Sequence, residues 1–347
     1  MKKYILILFY VVLGFSAGDA CTSAIISGRL SRSGMPMIWK HRDTSHRWNY
    51  VDSVKGANCD FDYIAVFNSS DSLKREAWAG VNRCGFAIIN TVAGNLPGNK
   101  EEWKDREGII MTLALSGCRT VDDFERLLDS LPKPLGVRTN FGVIDRSGEG
   151  AYFETDDYGY VKFETRDNPS GMLVRSNFSF SGNKEGGYGF ERYETASRVI
   201  RRHLSEKICP ELFTEYLSRK HHDLSSDACI FTEETAEISD RNFIPRPSSA
   251  SAVVIELTPD GPVMWTMLGY PPLAETTSVT IDNIPADVKR NPVTGMSVAS
   301  EKANLLKAKI IHDGLIRFPE AKYLIEQKIQ VSRENYKLFR KNKIGLK

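Results

Sequence analysis

The chain has 347 residues, of which 46 are basic and 44 acidic, so its formal net charge is only +2 at pH 7. A charge balance this even gives no electrostatic reason to expect a nucleic-acid partner. The length is enough for one large domain or two small ones with a sizeable core. The six histidines are scattered rather than set at metal-ligand spacing, so the sequence indicates no metal site.

The first twenty residues have the pattern of a secretory signal peptide. After a basic start, an apolar run extends from Ile5 to Phe15, and Gly18 and Ala20 are the small residues expected before a signal-peptidase site. The apolar run is too short to span a bilayer, and no later stretch reaches transmembrane length. The sequence therefore predicts export to the bacterial periplasm or medium, with signal peptidase as a partner and a mature chain that begins at Cys21.

Short apolar runs of β-type composition follow, separated by turn signals. The predicted strands are, in chain order, TSAIISG and MPMIWKHRD joined by RLSRSG, then DYIAVF, EAWAGV and GFAIINTV. Residues 107–131 change to helical periodicity, and Thr120 is a suitable N-cap for the second of two helices. A hairpin is predicted in NFGVIDRSGEGAYFETDD, followed by strands GYVKFET and MLVRSNF.

The later part of the chain adds helices and a third hairpin. Helices are predicted at 190–206 and 210–220, and ASAVVIEL with PVMWTML forms a hairpin around TPDG. From about residue 299 the chain is charged and helical, with a break expected at Pro319. Strands in antiparallel hairpins, with helices gathered in blocks, predict an α+β fold with two layers of sheet. We expect a signal peptide at 1–20, one catalytic domain at 21–298 and a helical extension at 299–347.

Cys21 would carry both a thiol and a free α-amine once the leader is removed. The amine can take the thiol proton directly or through one water, so no histidine is needed to activate this nucleophile. If the first two strands pair around a turn centred near Arg32, Cys21 lies opposite Asp43, which could orient the amine or the thiol. Lys40 and Arg42 flank Asp43 and would favour the thiolate electrostatically.

Other interpretations of the cysteines remain open at this point. Cys21 is also compatible with a structural cysteine or with the attachment site of a surface lipoprotein. The remaining cysteines show no metal-binding spacing, and Cys209 with Cys229 is the nearest disulfide pair in sequence for an oxidising compartment. The oligomeric state, including a homo-oligomer, is not determined by the sequence.

The segment CTSAIISGRLSRSGMPMIWKHRD, residues 21–43, resembles the mature start of a known family. It is similar to the choloylglycine hydrolase and penicillin V acylase group of N-terminal-nucleophile hydrolases, and to the related acyl-CoA:6-aminopenicillanate acyltransferase-like and acid-ceramidase-like branches. Cys21 with Thr22 matches the nucleophile, and KHRD matches a basic-x-x-Asp element that ends in Asp43. The family usually has Arg where this chain has Lys40, so either Lys40 or Arg42 is the basic partner.

The resemblance implies further site residues. CGFAIINT resembles the Gly-to-Asn strand whose Asn offers a backbone N–H to the oxyanion hole, which makes Asn90 a donor. LVRSNF resembles the segment that supplies a second donor, the side chain of Asn177. ERYETA is similar to a helix start that carries a catalytic-site arginine, here Arg192.

The resemblance also implies a fold and an activity. The fold is a four-layer αββα sandwich of two antiparallel sheets, and the activity is hydrolysis of a linear amide in a small N-acyl substrate, without metal or organic cofactor. Bile-salt amides, penicillin V, N-acyl amino acids, N-acyl lipids and short peptides all remain open as substrates. The alternatives are an acyltransferase or dipeptidase of the same class, or a non-catalytic surface lipoprotein or binding module anchored through Cys21.

Overall fold

The computed structural model describes residues 20–56, 60–98, 104–223, 228–229, 235–237, 243–313 and 315–344, so the predicted signal peptide lies outside the described residues except for Ala20. The strands are, in chain order, β1 (Ala20–Ile26), β2 (Met37–Asp43), β3 (Asn49–Val54), β4 (Tyr63–Asn68), β5 (Ala79–Asn82), β6 (Ala87–Val92), β7 (Thr139–Ile144), β8 (Gly150–Thr155), β9 (Tyr160–Glu164), β10 (Met172–Arg175), β11 (His222–Asp223), β12 (Ala228–Cys229), β13 (Thr235–Glu237), β14 (Ser249–Thr258), β15 (Gly261–Leu268), β16 (Thr277–Val279), β17 (Ile311–His312) and β18 (Leu315–Arg317). The helices are α1 (Glu107–Gly117), α2 (Val121–Ser130), α3 (Phe190–Arg202), α4 (Val298–Ile310) and α5 (Phe318–Ile344), with a π-helix at Leu212–Leu217 and 3₁₀ turns at Thr165–Asp167 and Pro271–Leu273.

Two large antiparallel sheets form the centre of the molecule. In the first sheet the strand order is β10-β1-β2-β14-β15-β16, so β1 is paired on both sides. In the second sheet β3 to β9 follow one another in chain order, as expected when short turns join successive antiparallel strands. β1 is therefore an interior strand of the first sheet, and Cys21 near its start pairs with Arg42 of β2.

Three apolar clusters give the order of the layers. Between the two sheets, Ile25 of β1 packs with Ile89 of β6. On the outer face of the second sheet, α1 and α2 cover the strands through residues such as Phe124. On the outer face of the first sheet, α3 and α5 do the same through Ile200 and Tyr336. The order is therefore helix, sheet, sheet, helix, which confirms the predicted α+β fold of two antiparallel sheets.

The local predictions from sequence are largely confirmed. The three predicted hairpins are present as β1–β2, β7–β8 and β14–β15. Thr120 caps α2, accepting from the backbone N–H of Asp123, whose carboxylate in turn accepts from the N–H of Thr120. β3 is not predicted from the sequence, because it is an edge strand whose second half is only half-buried and lacks a strong apolar pattern.

The prediction at Pro319 is wrong. Pro319 is the second residue of α5, where the missing N–H needs no helical partner. The helical segment is interrupted before it, between Ile310 and Phe318, where β17 and β18 form a short hairpin.

The predicted register of β1 and β2 is also wrong, by one residue. Cys21 pairs with Arg42, and Ala20 pairs with Asp43. The connection is the loop 27–36, which is centred near Arg32 as predicted and whose backbone is hydrogen-bonded to other parts of the chain. A slip of one residue exchanges the two faces of a strand, so Cys21 shares its face with Arg42 while Asp43 lies on the opposite face.

The C-terminal helices are joined to the sheets by buried contacts. The ring of Tyr336 on α5 lies 4.0 Å, centroid to centroid, from that of Trp265 on β15. The fully buried Arg219 donates to the carbonyl of Thr214 at 2.7 Å and to the hydroxyl of Ser332 on α5 at 2.9 Å. Among the described residues, no helix is long and apolar enough to cross a membrane.

Candidate active site

Cys21 lies near the start of β1 and is only 4% exposed. Alternation along the strand places its side chain, with those of Ser23 and Ile25, on the face between the two sheets. The hydroxyl of Ser23 confirms this direction, because it lies 2.7 Å from the hydroxyl of Tyr152 on the facing sheet. The thiol therefore points into the layer between the sheets, not toward solvent on an outer surface.

The backbone of Cys21 is held by two side chains that are distant in sequence. Its nitrogen donates to Oδ1 of Asn177 at 3.1 Å, and its carbonyl oxygen accepts from Nη1 of Arg192 at 2.6 Å. Arg192 also donates from Nη2 to Oδ1 of Asn177 at 2.6 Å and from Nη1 to the hydroxyl of Thr22 at 2.9 Å. Asn177 and Arg192 are fully buried, so these bonds are shielded from water.

Local geometry explains how Arg192 reaches the strand. Arg192 is the third residue of α3. The N-cap of this helix is Gly189, which has φ of +84°. A Cβ on Gly189 would lie 2.1 Å from Nη2 of Arg192. Glycine is therefore required here, both by the left-handed backbone and by the space that the guanidinium occupies.

Asn177 follows β10 and is also held by the end of β6 and the segment after it. Its side-chain Nδ2 donates to the backbone carbonyl of Val92 at 2.8 Å, and its backbone carbonyl accepts from the N–H of Gly94 at 3.1 Å. Because Arg192 donates to Oδ1, the atom of Asn177 that faces the nitrogen of Cys21 is an acceptor. The donor group of Asn177 is the opposite end of its amide.

Lys40 and Arg42 share the inter-sheet face with Cys21. Nζ of Lys40 donates to the carbonyl of Trp78 at 2.7 Å and to Oδ1 of Asn90 at 2.5 Å. Arg42 donates from Nη1 to Oδ1 of Asn68 at 2.9 Å, and its guanidinium carbon lies 4.5 Å from the centroid of the Trp78 ring. The two predicted basic partners therefore differ in position: Arg42 is directly across from Cys21, whereas Lys40 reaches Asn90 in the other sheet.

Asp43 lies on the opposite face of β2, among residues that the sequence analysis did not identify. Its Oδ2 accepts from Nε of Arg246 at 2.9 Å and also from Nη2 of the same residue, and its Oδ1 accepts from the hydroxyl of Ser249 at 2.6 Å. Nε2 of His41 lies 2.8 Å from that hydroxyl. Arg246 and Ser249 are about two hundred residues from Asp43 in sequence, so no local motif links them.

Burial and neighbouring charges shift the titration of this cluster. Burial lowers the pKa of Arg192 to about 10, with Arg246 lowering it further and Asp43 raising it. Arg192 therefore stays charged at neutral pH. Burial lowers the pKa of His41 to about 4, against the opposing effect of Asp43, so this imidazole is neutral at neutral pH.

The structure thus brings together most of the residues predicted from sequence. Asn177 and Arg192 contact Cys21, and Arg42 pairs with it across the ladder. Asn90 is reached through Lys40. Their catalytic roles stay predictions.

In the described part of the chain, no group of three or more His, Cys, Asp or Glu side chains is arranged to hold a metal ion. The thiol of Cys209 is free, so the considered pairing with Cys229 is not formed; Cys84 and Cys118 are also free, and Cys59 lies outside the described residues.

No family model matches the chain, and no curated protein matches it. Among solved structures, it is similar to an N-acylethanolamine-hydrolyzing acid amidase ortholog of Caenorhabditis elegans, with a TM-score of 0.47, 10% identity and coverage of 68% of this chain and 92% of that one. It is similar to penicillin V acylase from Agrobacterium tumefaciens, with a TM-score of 0.47, 13% identity and coverage of 78% and 88%. It is also similar to conjugated bile acid hydrolase from Clostridium perfringens, with a TM-score of 0.46, 9% identity and coverage of 76% and 95%. These three are N-terminal-nucleophile hydrolases. Similarities this low carry no conclusion about the activity of this chain.

Proposed function

We propose that the chain is a hydrolase of linear amides in which Cys21, made N-terminal by removal of residues 1–20, is the nucleophile. The observation that carries this proposal is the convergence of Asn177 and Arg192 on the two backbone atoms of Cys21. A cysteine that served only as filler would need no buried arginine on its carbonyl and no buried amide on its nitrogen. The same contacts would hold a free α-amine close to its own thiol.

The reaction follows from a thiol and an amine on one residue. The α-amine of Cys21 takes the thiol proton, directly or through one water, and sulfur attacks the amide carbonyl to form a tetrahedral oxyanion. The C–N bond then breaks, the ammonium returns the proton to the leaving nitrogen, and an S-acyl enzyme remains. A water, deprotonated by the amine, attacks the thioester, and the carboxylic acid leaves as the thiol is restored.

The oxyanion needs donors that are already in place. Lys40 donates to Oδ1 of Asn90, so this contact fixes the side chain of Asn90 and does not use its backbone N–H. Asn177 uses one N–H of Nδ2 on the carbonyl of Val92 and has a second one. We assign the backbone N–H of Asn90 and this second N–H of Asn177 as the candidate oxyanion donors.

Arg42 is the better candidate for the basic partner of the thiol. It pairs directly with Cys21 and lies on the same face, whereas Nζ of Lys40 is engaged with Asn90 and the carbonyl of Trp78. A cation beside the sulfur favours the thiolate. Lys40 then acts on the reaction through the position of Asn90.

The proposed hydrolase and a lipid anchor at Cys21 exclude each other. A diacylglyceryl group on the sulfur would block the nucleophile. Export by signal peptidase remains part of the proposal, because the mechanism requires a free amine. The substrate is a small N-acyl compound, and an acyltransferase would differ only in the nucleophile that meets the acyl enzyme.

The test is a panel of acylated amines, assayed with the purified protein whose intact mass identifies Cys21 as the first residue. We expect hydrolysis of at least one amide, a mass increase equal to the acyl group in quenched reactions, and a loss of about 10⁴-fold or more in Cys21→Ala. Cys84→Ala, which removes a thiol outside the site, is the matched control and should keep full activity. Activity that survives in Cys21→Ala, or a lipid-modified Cys21, would refute the proposal.

A further inference from the structure

The carboxylate of Asp43 is held on both oxygens by residues with no assigned role. Oδ2 accepts from the guanidinium of Arg246, and Oδ1 accepts from the hydroxyl of Ser249. Asp43 and Ser249 are fully buried and Arg246 is 3% exposed, so this ion pair is shielded from solvent. Asp43 also lies directly across the ladder from Ala20, the residue bonded to the nitrogen of Cys21.

The hydroxyl of Ser249 has three hydrogen-bond partners, and their chemistry shows which of them donate and which accepts. Its single proton goes to Asp43, because a lone pair at 2.6 Å from a carboxylate oxygen would be repulsive. The hydroxyl oxygen then accepts from the backbone N–H of Arg246 at 3.0 Å and from Nε2 of His41 at 2.8 Å. His41 is therefore the tautomer protonated on Nε2, and its ring fixes the hydroxyl toward Asp43.

A β-bulge in β14 places Ser249 at this position. Ala252 pairs with His41 and Ser251 with Arg42, so a regular ladder would bring Ala250 opposite Asp43. The register shifts between Ser249 and Ser251, and Ser249 takes that place instead. Bulges of this kind commonly redirect a side chain beside a functional site.

We propose that Arg246 and Ser249 are positioning residues which hold Asp43 in an internal ion pair and so keep the α-amine of mature Cys21 in its neutral, basic form. This inference rests on the proposed function. Asp43 lies across the ladder from the residue that precedes this amine, so an unpaired carboxylate here would stabilise the ammonium, which cannot accept the thiol proton. Arg246 neutralises that carboxylate, and Ser249 with His41 keeps it turned toward Arg246.

The other charged and titratable groups around this nitrogen and around Asp43 either favour the neutral amine, as cations do, or are themselves uncharged. Arg192 from α3 is a cation on the carbonyl of Cys21, and Arg42 is a cation across the ladder, with Lys40 further along the same face. His41 is neutral at neutral pH, and burial lowers the pKa of His221 to about 3. Burial also raises the pKa of Tyr270, so its hydroxyl is uncharged. Within this group, Asp43 is the anion that would retain the ammonium.

The test is the pH profile of kcat/KM in Arg246→Gln. The acid limb reports the group that must be deprotonated in the free enzyme, which is the amine. Without Arg246, we expect this limb to move up by about one pH unit, because Asp43 then stabilises the ammonium. Arg246→Lys should move the limb back toward the wild-type position, and Ser249→Ala should move it in the same direction as Arg246→Gln by a smaller amount.

Arg219→Gln is the matched control, because it removes another buried arginine, one whose hydrogen-bond partners are uncharged carbonyl and hydroxyl groups. It should lower stability without moving the acid limb. A purely structural role of Arg246 would likewise lower activity equally at every pH. An acid limb that stays in place in both Arg246→Gln and Ser249→Ala overturns the inference, and the serine variant keeps the test valid if the arginine variant does not fold.

A second measurement needs no substrate. In mature protein labelled with ¹³C-cysteine, the Cα and Cβ resonances of Cys21, assigned by comparison with Cys21→Ser, report the titration of its amine and thiol. The pH midpoint of the amine titration should be higher in Arg246→Gln than in wild type. A shifted midpoint in a protein that hydrolyses no amide would refute the proposed function alone, whereas an unshifted midpoint in an active hydrolase would refute this inference alone.

Discussion

The guanidinium of Arg192 donates to the carbonyl oxygen of Cys21 at 2.6 Å, although 171 positions separate the two residues in sequence. Since Arg192 also donates to Oδ1 of Asn177, one buried cation organises both the strand that carries the nucleophile and the amide that holds its nitrogen. Hydrogen bonds from a buried cation are among the stronger ones in proteins. The arrangement therefore holds Cys21 rigidly at the start of β1.

Replacing Arg192 should reduce activity more than replacing an exposed arginine of the same helix. In Arg192→Met the carbonyl of Cys21, the hydroxyl of Thr22 and Oδ1 of Asn177 each lose the hydrogen bond from the guanidinium, so we expect kcat to fall by about 10²-fold. Arg192→Lys, which restores the charge with a single donor head, should recover part of it. Arg201→Met, on the exposed face of α3, serves as the control; equal effects of the two methionine variants would contradict the assignment.

Truncation of Asn177 should remove an oxyanion donor and the acceptor for the nitrogen of Cys21. We expect Asn177→Ala to lower kcat by about 10²–10³-fold with a smaller change in KM, because the donor acts mainly in the transition state. Steady-state kinetics on an amide found in the substrate panel measures this. Asn335→Ala, which loses a 2.9 Å bond from α5 to the carbonyl of Thr276, should leave kcat unchanged. A loss confined to KM would argue for substrate binding instead.

A methyl group at Gly189 should displace Arg192 and strain the backbone. In Gly189→Ala, φ of +84° and a contact of 2.1 Å with Nη2 both oppose the new Cβ. We expect a loss of about 1–3 kcal/mol in the free energy of unfolding, with a marked loss of activity. Gly159→Ala is the matched control, since a Cβ there meets nothing within 4 Å. Denaturant unfolding measures this free energy, and equal stability of the two variants would contradict the proposed strain at Gly189.

His41 should make folding less favourable in acid. Burial lowers its pKa from 6.5 to about 4 in the folded protein, so below pH 6.5 the unfolded chain takes up a proton that the folded one does not. The free energy of unfolding should therefore fall as the pH drops from 6.5 to 4, by about 3 kcal/mol from this residue.

His41→Gln should flatten that dependence, even though it lowers stability at pH 7. Denaturant unfolding at several pH values measures the slope. His312→Gln, at an exposed position, should leave the slope as in wild type. An unchanged slope in His41→Gln would show that the acid sensitivity arises elsewhere.

Much of the local structure was readable from sequence, because it depends on neighbouring residues. Alternating apolar side chains predicted the hairpins, and Thr120 predicted the start of α2. Prediction from sequence failed for elements whose structure depends on contacts with distant parts of the chain. β3 lies at an edge with a weak pattern, and the π-helix at Leu212–Leu217 replaced part of a predicted ordinary helix.

The sequence by itself determined the hairpins and the α+β class with two layers of sheet, since these follow from periodicity and from neighbours in the chain. The group of residues at Cys21 came from the resemblance of its motifs to a known family. Only the tertiary structure decided the register of β1 on β2, because that register depends on how the loop 27–36 is tied to other segments. It likewise decided that Asp43 pairs with Arg246 and Ser249. Long-range hydrogen bonds between buried charges leave no periodic signal in the sequence, and they are what orient this site.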